Sequence, residues 1–82
     1  MGSEPPARIE VDARGLRCPL PVIRLAQAAR DAAPGTEILV RSTDPAARAD
    51  IPAWCRLRGQ TLVEVREEDG HVVHVVRLSP AG

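Results

Sequence analysis

The sequence predicts an α/β two-layer sandwich, in which a four-stranded mixed sheet carries two helices on one face in the order βαβαββ. Apolar residues alternate with polar ones or run together in four short segments, and they recur every three or four residues in two longer ones. An Asp-Gly pair, a strong hairpin signal, separates the last two short segments. One hairpin and two helical crossovers are packed most economically with both helices on the same face of one sheet.

The first half of the chain is predicted to form a strand, a helix and a second strand. Residues 8–12 alternate polar and apolar side chains, as a half-buried strand does. Apolar residues of the segment 22–33 fall on one helical face, and Pro34-Gly35 ends that helix. The apolar run within residues 36–42 is typical of a buried strand.

The second half is predicted to form a helix and a hairpin. Residues 46–58 have a helical pattern that contains Pro52, which a regular helix interior disfavours. We therefore expect Asp50 to be the N-cap, so that Pro52 lies in the first turn. Residues 61–67 and 71–78 are the predicted hairpin strands.

The composition limits the kind of function. The 82 residues suffice for one domain, predicted over residues 9–78 between flexible tails at 1–8 and 79–82, and a chain of this size cannot enclose a large cavity. Eleven arginines balance eleven acidic residues, and the only aromatic residue is Trp54. We therefore expect no membrane partner and no direct nucleic-acid binding. No signal-like segment is visible and two cysteines are too few for a disulfide scaffold, so a cytoplasmic location with reduced thiols is expected.

Cys18 is the main candidate for chemistry. It is predicted at the N-cap of the first helix or beside it, with Pro19 in the first helical position. If Cys18 is the N-cap, the Leu20 N–H is the main local donor to its sulfur. The partial positive charge of a helix N-terminus favours a thiolate, which is the nucleophilic form of cysteine. The alternative is a small capping residue without chemical function.

Basic residues close to Cys18 in the sequence favour the reactive interpretation. We expect guanidinium groups near the sulfur to stabilise a thiolate or to contact a partner protein. The candidates for both roles are Arg14, Arg17 and Arg24.

Cys55 is predicted to be a packing residue, because it shares an apolar helical face with Ile51 and Trp54. A resolving thiol that forms a disulfide with Cys18 is the alternative. Trp54 is expected in the core, with partial exposure as a contact residue as its alternative.

The two histidines do not form a metal-binding pattern. His71 and His74 are three residues apart on a predicted strand and therefore point to opposite faces. We expect both to be exposed or on an edge strand, and we expect no metal site and no cofactor.

Two separated motifs resemble those of the TusA/SirA-type sulfur carriers. The first is DARGLRCPLP at residues 12–21, and the second combines DPA at 44–46 with DIPAWC at 50–55. The resemblance covers about residues 9–77. It implies a βαβαββ sandwich and a sulfurtransferase-type carrier that accepts sulfane sulfur as a persulfide on Cys18. It also implies a donor protein, either a cysteine desulfurase or a rhodanese-like protein, and an acceptor protein.

The resemblance assigns further roles by position. The loop around the sulfur is shaped by Pro19, Leu20 and Pro21, while Asp44, Asp50 and Pro52 belong to the second motif. The branch that serves tRNA thiolation usually has Glu where this chain has Leu20. The pathway therefore stays open between tRNA thiolation, sulfur oxidation, molybdenum-cofactor maturation and selenium handling. Alternative functions are a thiol-based redox or interaction module and, on fold analogy alone, an RNA-binding domain.

Overall fold

The computed structural model describes residues 7–80, and its element order is the predicted βαβαββ. The elements are β1 (Arg8–Ala13), α1 (Leu20–Arg30), β2 (Glu37–Ser42), α2 (Ala47–Arg58), β3 (Thr61–Glu68) and β4 (His71–Arg77). Residues 1–6 and 81–82 of the predicted tails lie outside the described range. Two residues of the described tail segments are hydrogen-bonded: the Ala7 carbonyl accepts the Glu37 N–H at 2.9 Å, and the Ser79 N–H donates to the Gln60 side chain at 2.7 Å.

The four strands form one mixed sheet in the order β1-β2-β4-β3, which confirms the predicted fold class. β1 is parallel to β2, whereas β4 is antiparallel to both of its neighbours. The β3–β4 hairpin turns at Asp69-Gly70, where φ is 46° and 83°. Positive φ at both central residues is the type I′ geometry that the Asp-Gly pair predicts.

Both helices pack on one face of the sheet. Cross-strand partners share a face, so the register places Ile38 beside Val76 and Val40 beside His74 under the helices. The buried residues that complete this core come from the two helices, from β1 and from the residue after β4; they are Leu25, Ala47, Ile51, Cys55, Ala13 and Leu78. Their burial fixes the inner faces of both helices, as the apolar pattern predicts.

The other face of the sheet is covered by ion pairs. A small apolar cluster of Leu39, Val73 and Val75 lies at its centre. Arg41 contacts Glu68 at 2.9 Å, and Arg77 contacts Glu37 at 3.1 Å. Similar pairs join further arginines and glutamates, namely Arg8–Glu37, Arg41–Glu10, Arg66–Glu64 and Arg66–Glu68. The aliphatic parts of these long side chains can cover the apolar cluster while their charges meet in pairs.

Two predicted helix boundaries are wrong. α1 ends at Arg30, because residues 31–35 form tight turns and the Gly35 N–H donates to the Leu78 carbonyl at 2.8 Å. Asp50 is not the N-cap of α2, which begins at Ala47 and contains Pro52 in its interior. The earlier start follows from Asp44, whose carboxylate accepts the Ala46 N–H at 3.0 Å and whose carbonyl accepts the Ala47 N–H at 3.0 Å.

The prediction of exposed or edge-strand histidines is also wrong. β4 is a central strand, so His71 is 8% exposed and His74 is fully buried, although they point to opposite faces as predicted. Burial lowers the pKa of His74, and neither of its ring nitrogens has a hydrogen-bond partner within residues 7–80. His74 is therefore neutral in the folded protein and contributes to the core.

Candidate functional site

Cys18 lies in the loop between β1 and α1, next to the loop between β2 and α2. Because β1 and β2 are parallel neighbours, both loops leave the same edge of the sheet. Two hydrogen bonds join them. The Gly15 N–H donates to the Thr43 hydroxyl at 2.9 Å, and the Cys18 N–H donates to Asp44 Oδ2 at 2.7 Å. The backbone at Cys18 is therefore attached to a loop that is 26 residues further along the chain.

The Cys18 loop is folded by two tight turns. In the first, the Leu16 N–H donates to the Ala13 carbonyl at 3.2 Å, and Gly15 supplies the positive φ of 81°. In the second, the Leu20 N–H donates to the Arg17 carbonyl at 2.8 Å across a cis Cys18–Pro19 peptide bond. These turns direct the chain from β1 into the start of α1.

The second turn corrects the expected position of Pro19. α1 begins at Leu20 and its N-cap is Pro19, so Pro19 is not in the first helical position, and Cys18 lies beside the N-cap, which is one of its two predicted positions. The Leu20 N–H is bonded to Arg17 and is not a donor to the sulfur. Pro21 is buried in the first turn of α1, where the N–H that proline lacks would have no partner within the helix.

Asp44 connects the candidate site to α2 through both of its carboxylate oxygens. Oδ2 accepts the Cys18 N–H, and Oδ1 accepts the Ala46 N–H. These two bonds, together with the charge of Arg17, lower the pKa of Asp44. The carboxylate therefore stays ionised at neutral pH and keeps a negative charge beside the Cys18 backbone.

Carboxylates, not guanidiniums, determine the ionisation of the half-buried Cys18 thiol. The Asp50 carboxylate is the main cause, and with burial and the charge of Asp44 it raises the pKa of Cys18 to about 11. This is opposite to the predicted direction. The guanidinium of Arg14 is held by Asp12 at 2.8 Å, and the exposed Arg17 acts on Asp44.

The surface next to Cys18 is apolar. Leu20 and Ile23 are each 42% exposed, and they are three residues apart on the first turns of α1. Arg17 and Arg24 are exposed beside them. Cys18 itself packs against the edge of the core. The site is thus a thiol at an apolar rim with arginines around it, and the negative charges lie closest to the sulfur.

Cys55 has a different environment. It is 2% exposed inside α2, it belongs to the core, and burial raises the pKa of its thiol. These observations confirm its prediction as a packing residue. Trp54 beside it is half-buried, so its exposure lies between that of the core residue and that of the partly exposed contact residue that were predicted.

Sequence reasoning missed how Thr43, Asp44 and Asp50 contribute to the site. The Asp44-Pro45 pair signals a turn, and the resemblance includes both aspartates, but no local pattern shows that they meet Cys18. Within the described chain, no group of three or more His, Cys, Asp or Glu residues is arranged to hold a metal ion. No helix of residues 7–80 has the length and apolarity needed to cross a membrane.

Comparisons with known proteins agree with the motifs. The model of the family described as "Sulfurtransferase TusA" matches residues 9–78. The sulfur carrier protein TusA of Pseudomonas paraeruginosa is 46% identical over 67 residues, which are 82% of this chain and 85% of that protein. The protein of the same name from Pseudomonas fluorescens is 40% identical over 74 residues, which are 90% of this chain and 89% of that protein.

A solved structure has the same fold. The crystal structure of a SirA-like protein from Desulfitobacterium hafniense superposes with a TM-score of 0.73 at 28% sequence identity. The match covers 89% of this chain and 99% of that one. With the family model and the curated relatives, this likeness leads to one conclusion: the chain belongs to the TusA family of sulfurtransferases, which are sulfur carriers.

Proposed function

We propose that this protein accepts a sulfane sulfur as a persulfide on Cys18 and passes it to an acceptor protein. Membership of the sulfur-carrier family supports a place in a sulfur relay. The observation that carries the assignment to Cys18 is the contrast between the two thiols. Cys18 is half-buried in a loop whose backbone is held by Asp44, whereas Cys55 is enclosed in the core.

The proposed loading step is an exchange between a thiol and a persulfide. The Cys18 sulfur attacks the outer sulfur of a donor cysteine persulfide and forms a new S–S bond. The S–S bond of the donor breaks, and the donor cysteine leaves as a thiolate, which takes up the proton from Cys18. The transfer step repeats this exchange with an acceptor cysteine as the nucleophile. Neither step changes the number of electrons in the system, so no cofactor or external oxidant is needed.

Because Asp44 and Asp50 keep the Cys18 thiol protonated, the donor protein has a role in activating it. A thiol whose pKa is about 11 is almost entirely protonated at neutral pH, and the thiolate is the form that attacks. A donor that brings a positive group to the Cys18 loop would offset the charges of Asp44 and Asp50 and lower the pKa. Loading would then depend on docking, and the resting thiol would react little with other oxidants or persulfides.

The surface around Cys18 suggests how the partners dock. Leu20 and Ile23 supply an apolar contact next to the sulfur, with Arg17 and Arg24 at its margin. Such an arrangement fits a partner that places apolar side chains against Leu20 and Ile23 and acidic side chains against the two arginines at the margin, away from the sulfur. Pro19 and Pro21 would keep this rim in place on both sides of Leu20. Arg14 is a weaker candidate for docking because it already pairs with Asp12.

A redox-sensor function is less well supported. Sensor cysteines combine exposure with a low pKa, because oxidants attack the thiolate. The pKa of Cys18 is shifted in the opposite direction. The sulfur-carrier proposal therefore fits the electrostatics better, since a protein partner can supply the activation.

Intact-mass measurement tests the proposal. The wild-type chain is incubated with a cysteine desulfurase plus cysteine, and separately with a rhodanese plus thiosulfate, followed by analysis with and without reductant. We expect a gain of one sulfur atom that reductant removes, with at least one of the donors. The Cys18→Ala variant should show no gain, and the matched Cys55→Ala variant should load like the wild type. Loading of a folded Cys18→Ala variant, or no loading of the wild type by either donor, would contradict the proposal.

A further inference from the structure

The arginines of this protein fall into two groups. Six of the eleven form ion pairs with carboxylates, and four of these six cover the open face of the sheet. The other five have no carboxylate within ion-pair distance in the described part of the chain. These five all belong to the helical layer or its entry loop; they are Arg17, Arg24, Arg30, Arg56 and Arg58. A chain with zero net charge therefore presents unpaired positive groups on one side.

Two of the unpaired arginines border a groove between the helices. The groove has a volume of about 510 Å³ and lies beside the C-terminal halves of α1 and α2. Arg30 from α1 and Arg58 from α2 line it, and both are exposed. Its apolar lining includes three small side chains and one large one, namely Ala26, Ala29, Ala32 and Trp54, and the wall is completed by Pro34, Leu78 and Pro80. The three alanines and Trp54 are half-buried, so part of each side chain is open to the groove.

The chemistry of the groove indicates its occupant. Alanine side chains leave space for a branched aliphatic side chain, and the half-buried indole offers it a broad apolar surface. Guanidinium groups bind carboxylates through paired hydrogen bonds, and one is available on each helix. We propose that this groove binds an acidic peptide segment of a partner protein, with a leucine-type side chain against Trp54 and carboxylates on Arg30 and Arg58.

Nucleic acid fits the groove less well. Binding of single strands relies on several aromatic side chains and a strongly basic surface, whereas this chain has one aromatic residue and zero net charge. The groove is also separate from the thiol. Arg30 lies ten residues beyond Leu20 on α1, which corresponds to about 15 Å along the helix axis. The proposed binding requires no sulfur chemistry, so it stands or falls independently of persulfide formation.

Trp54 provides the test, because it is the only tryptophan and the chain has no tyrosine. The full chain is titrated with the peptide acetyl-ELEELE-amide while the tryptophan emission is recorded, and a parallel titration uses acetyl-KLKKLK-amide. We expect a saturable change in emission with the acidic peptide and none with the basic one. Arg30→Ala and Arg58→Ala should each weaken the affinity roughly fivefold, the size expected for one exposed ion pair.

Arg56→Ala is the matched control, because Arg56 is an exposed and unpaired residue of α2 that does not line the groove. We expect this variant to bind the acidic peptide with wild-type affinity, and circular dichroism should show that all three variants are folded. The proposal is overturned if the acidic peptide gives no saturable change, or if the three variants bind it equally well. Tighter binding of a twelve-nucleotide oligouridine than of the acidic peptide would also overturn it, in favour of nucleic acid.

Discussion

Cys18 and Cys55 both lie on the helical side of the sheet, but different parts of the structure hold them. Cys18 precedes α1 in a loop, and a hydrogen bond from its own N–H to Asp44 holds it in place. Cys55 lies inside α2 and is held by the packing of its side chain among core residues. The environment that fixes Cys18 therefore leaves its side chain accessible, whereas the environment that fixes Cys55 encloses it.

The cause of the raised pKa also differs between the two thiols. Burial is the main cause at Cys55, and a partner protein cannot remove it without opening the core. At Cys18 the main cause is the Asp50 side chain, a charged group that a docking partner can offset. Cys55 therefore stays unreactive as long as the protein is folded, whereas Cys18 can become reactive when a partner docks. Three predictions test this difference.

The largest expected effect is on the rates of alkylation. At pH 8 we expect iodoacetamide to modify Cys18 at least about a hundredfold faster than Cys55, because Cys55 must wait for the core to open. Mass spectrometry of tryptic peptides sampled over time gives both rates. In urea above the unfolding transition the two rates should become similar. Similar rates in the native protein would show that Cys55 is accessible and would remove the contrast.

The second prediction concerns stability. Cys55→Ala should lower the free energy of unfolding by about 1–2 kcal/mol, because it removes buried volume from the core. Cys18→Ala, which removes a half-buried thiol at the edge of the core, should lower it by less than about 1 kcal/mol. Urea unfolding followed by the emission of Trp54 measures both values. A larger loss for Cys18→Ala would mean that Cys18 contributes more to the fold than its position indicates.

The smallest effect is expected at Asp50, where the substitution changes charge but little volume. Asp50→Asn should lower the pKa of Cys18 from about 11, since the carboxylate that favours the protonated thiol is lost. If the pKa falls to near 9, the thiolate fraction at pH 8 rises roughly a hundredfold. The less basic thiolate is a weaker nucleophile, so alkylation should become only roughly tenfold faster. The shift should appear in the pH dependence of the rate.

Asp31→Asn is the control for that substitution. Asp31 is an exposed acidic residue at the C-terminal end of α1, away from the Cys18 loop. We expect its removal to leave the alkylation rate unchanged. An unchanged rate for Asp50→Asn as well would show that Asp50 does not control the thiol.

Much of the fold could be predicted from local patterns. The alternation in β1, the apolar run in β2 and the Asp69-Gly70 turn each identify their element, because the responsible residues are neighbours in the sequence. The place of β4 within the sheet could not be predicted from neighbouring residues. Whether it lies at the centre or at the edge depends on pairing with β2, some 30 residues earlier, and this pairing determines the burial of His74.

The candidate site, too, could be predicted from the sequence only in part. Cys18 could be singled out from its proline neighbours and its place before a helix, which are local features. The direction of its pKa shift could not be predicted. Arg14, which is close to Cys18 in sequence, pairs with Asp12 and not with the thiol. The carboxylates that act on the thiol, Asp44 and Asp50, belong to the β2–α2 loop and the first turn of α2. Only the parallel pairing of β1 with β2 shows that these two segments meet.

The most direct test of the central claim is to locate the transferred sulfur in the wild-type protein. Trypsin separates the two cysteines into the peptides CPLPVIR, residues 18–24, and ADIPAWCR, residues 49–56. After loading by a donor and alkylation under non-reducing conditions, we predict that the added sulfur is found on the peptide of Cys18 and is released by reductant. An added sulfur on the peptide of Cys55, or a disulfide that joins the two peptides in place of a persulfide, would contradict the account.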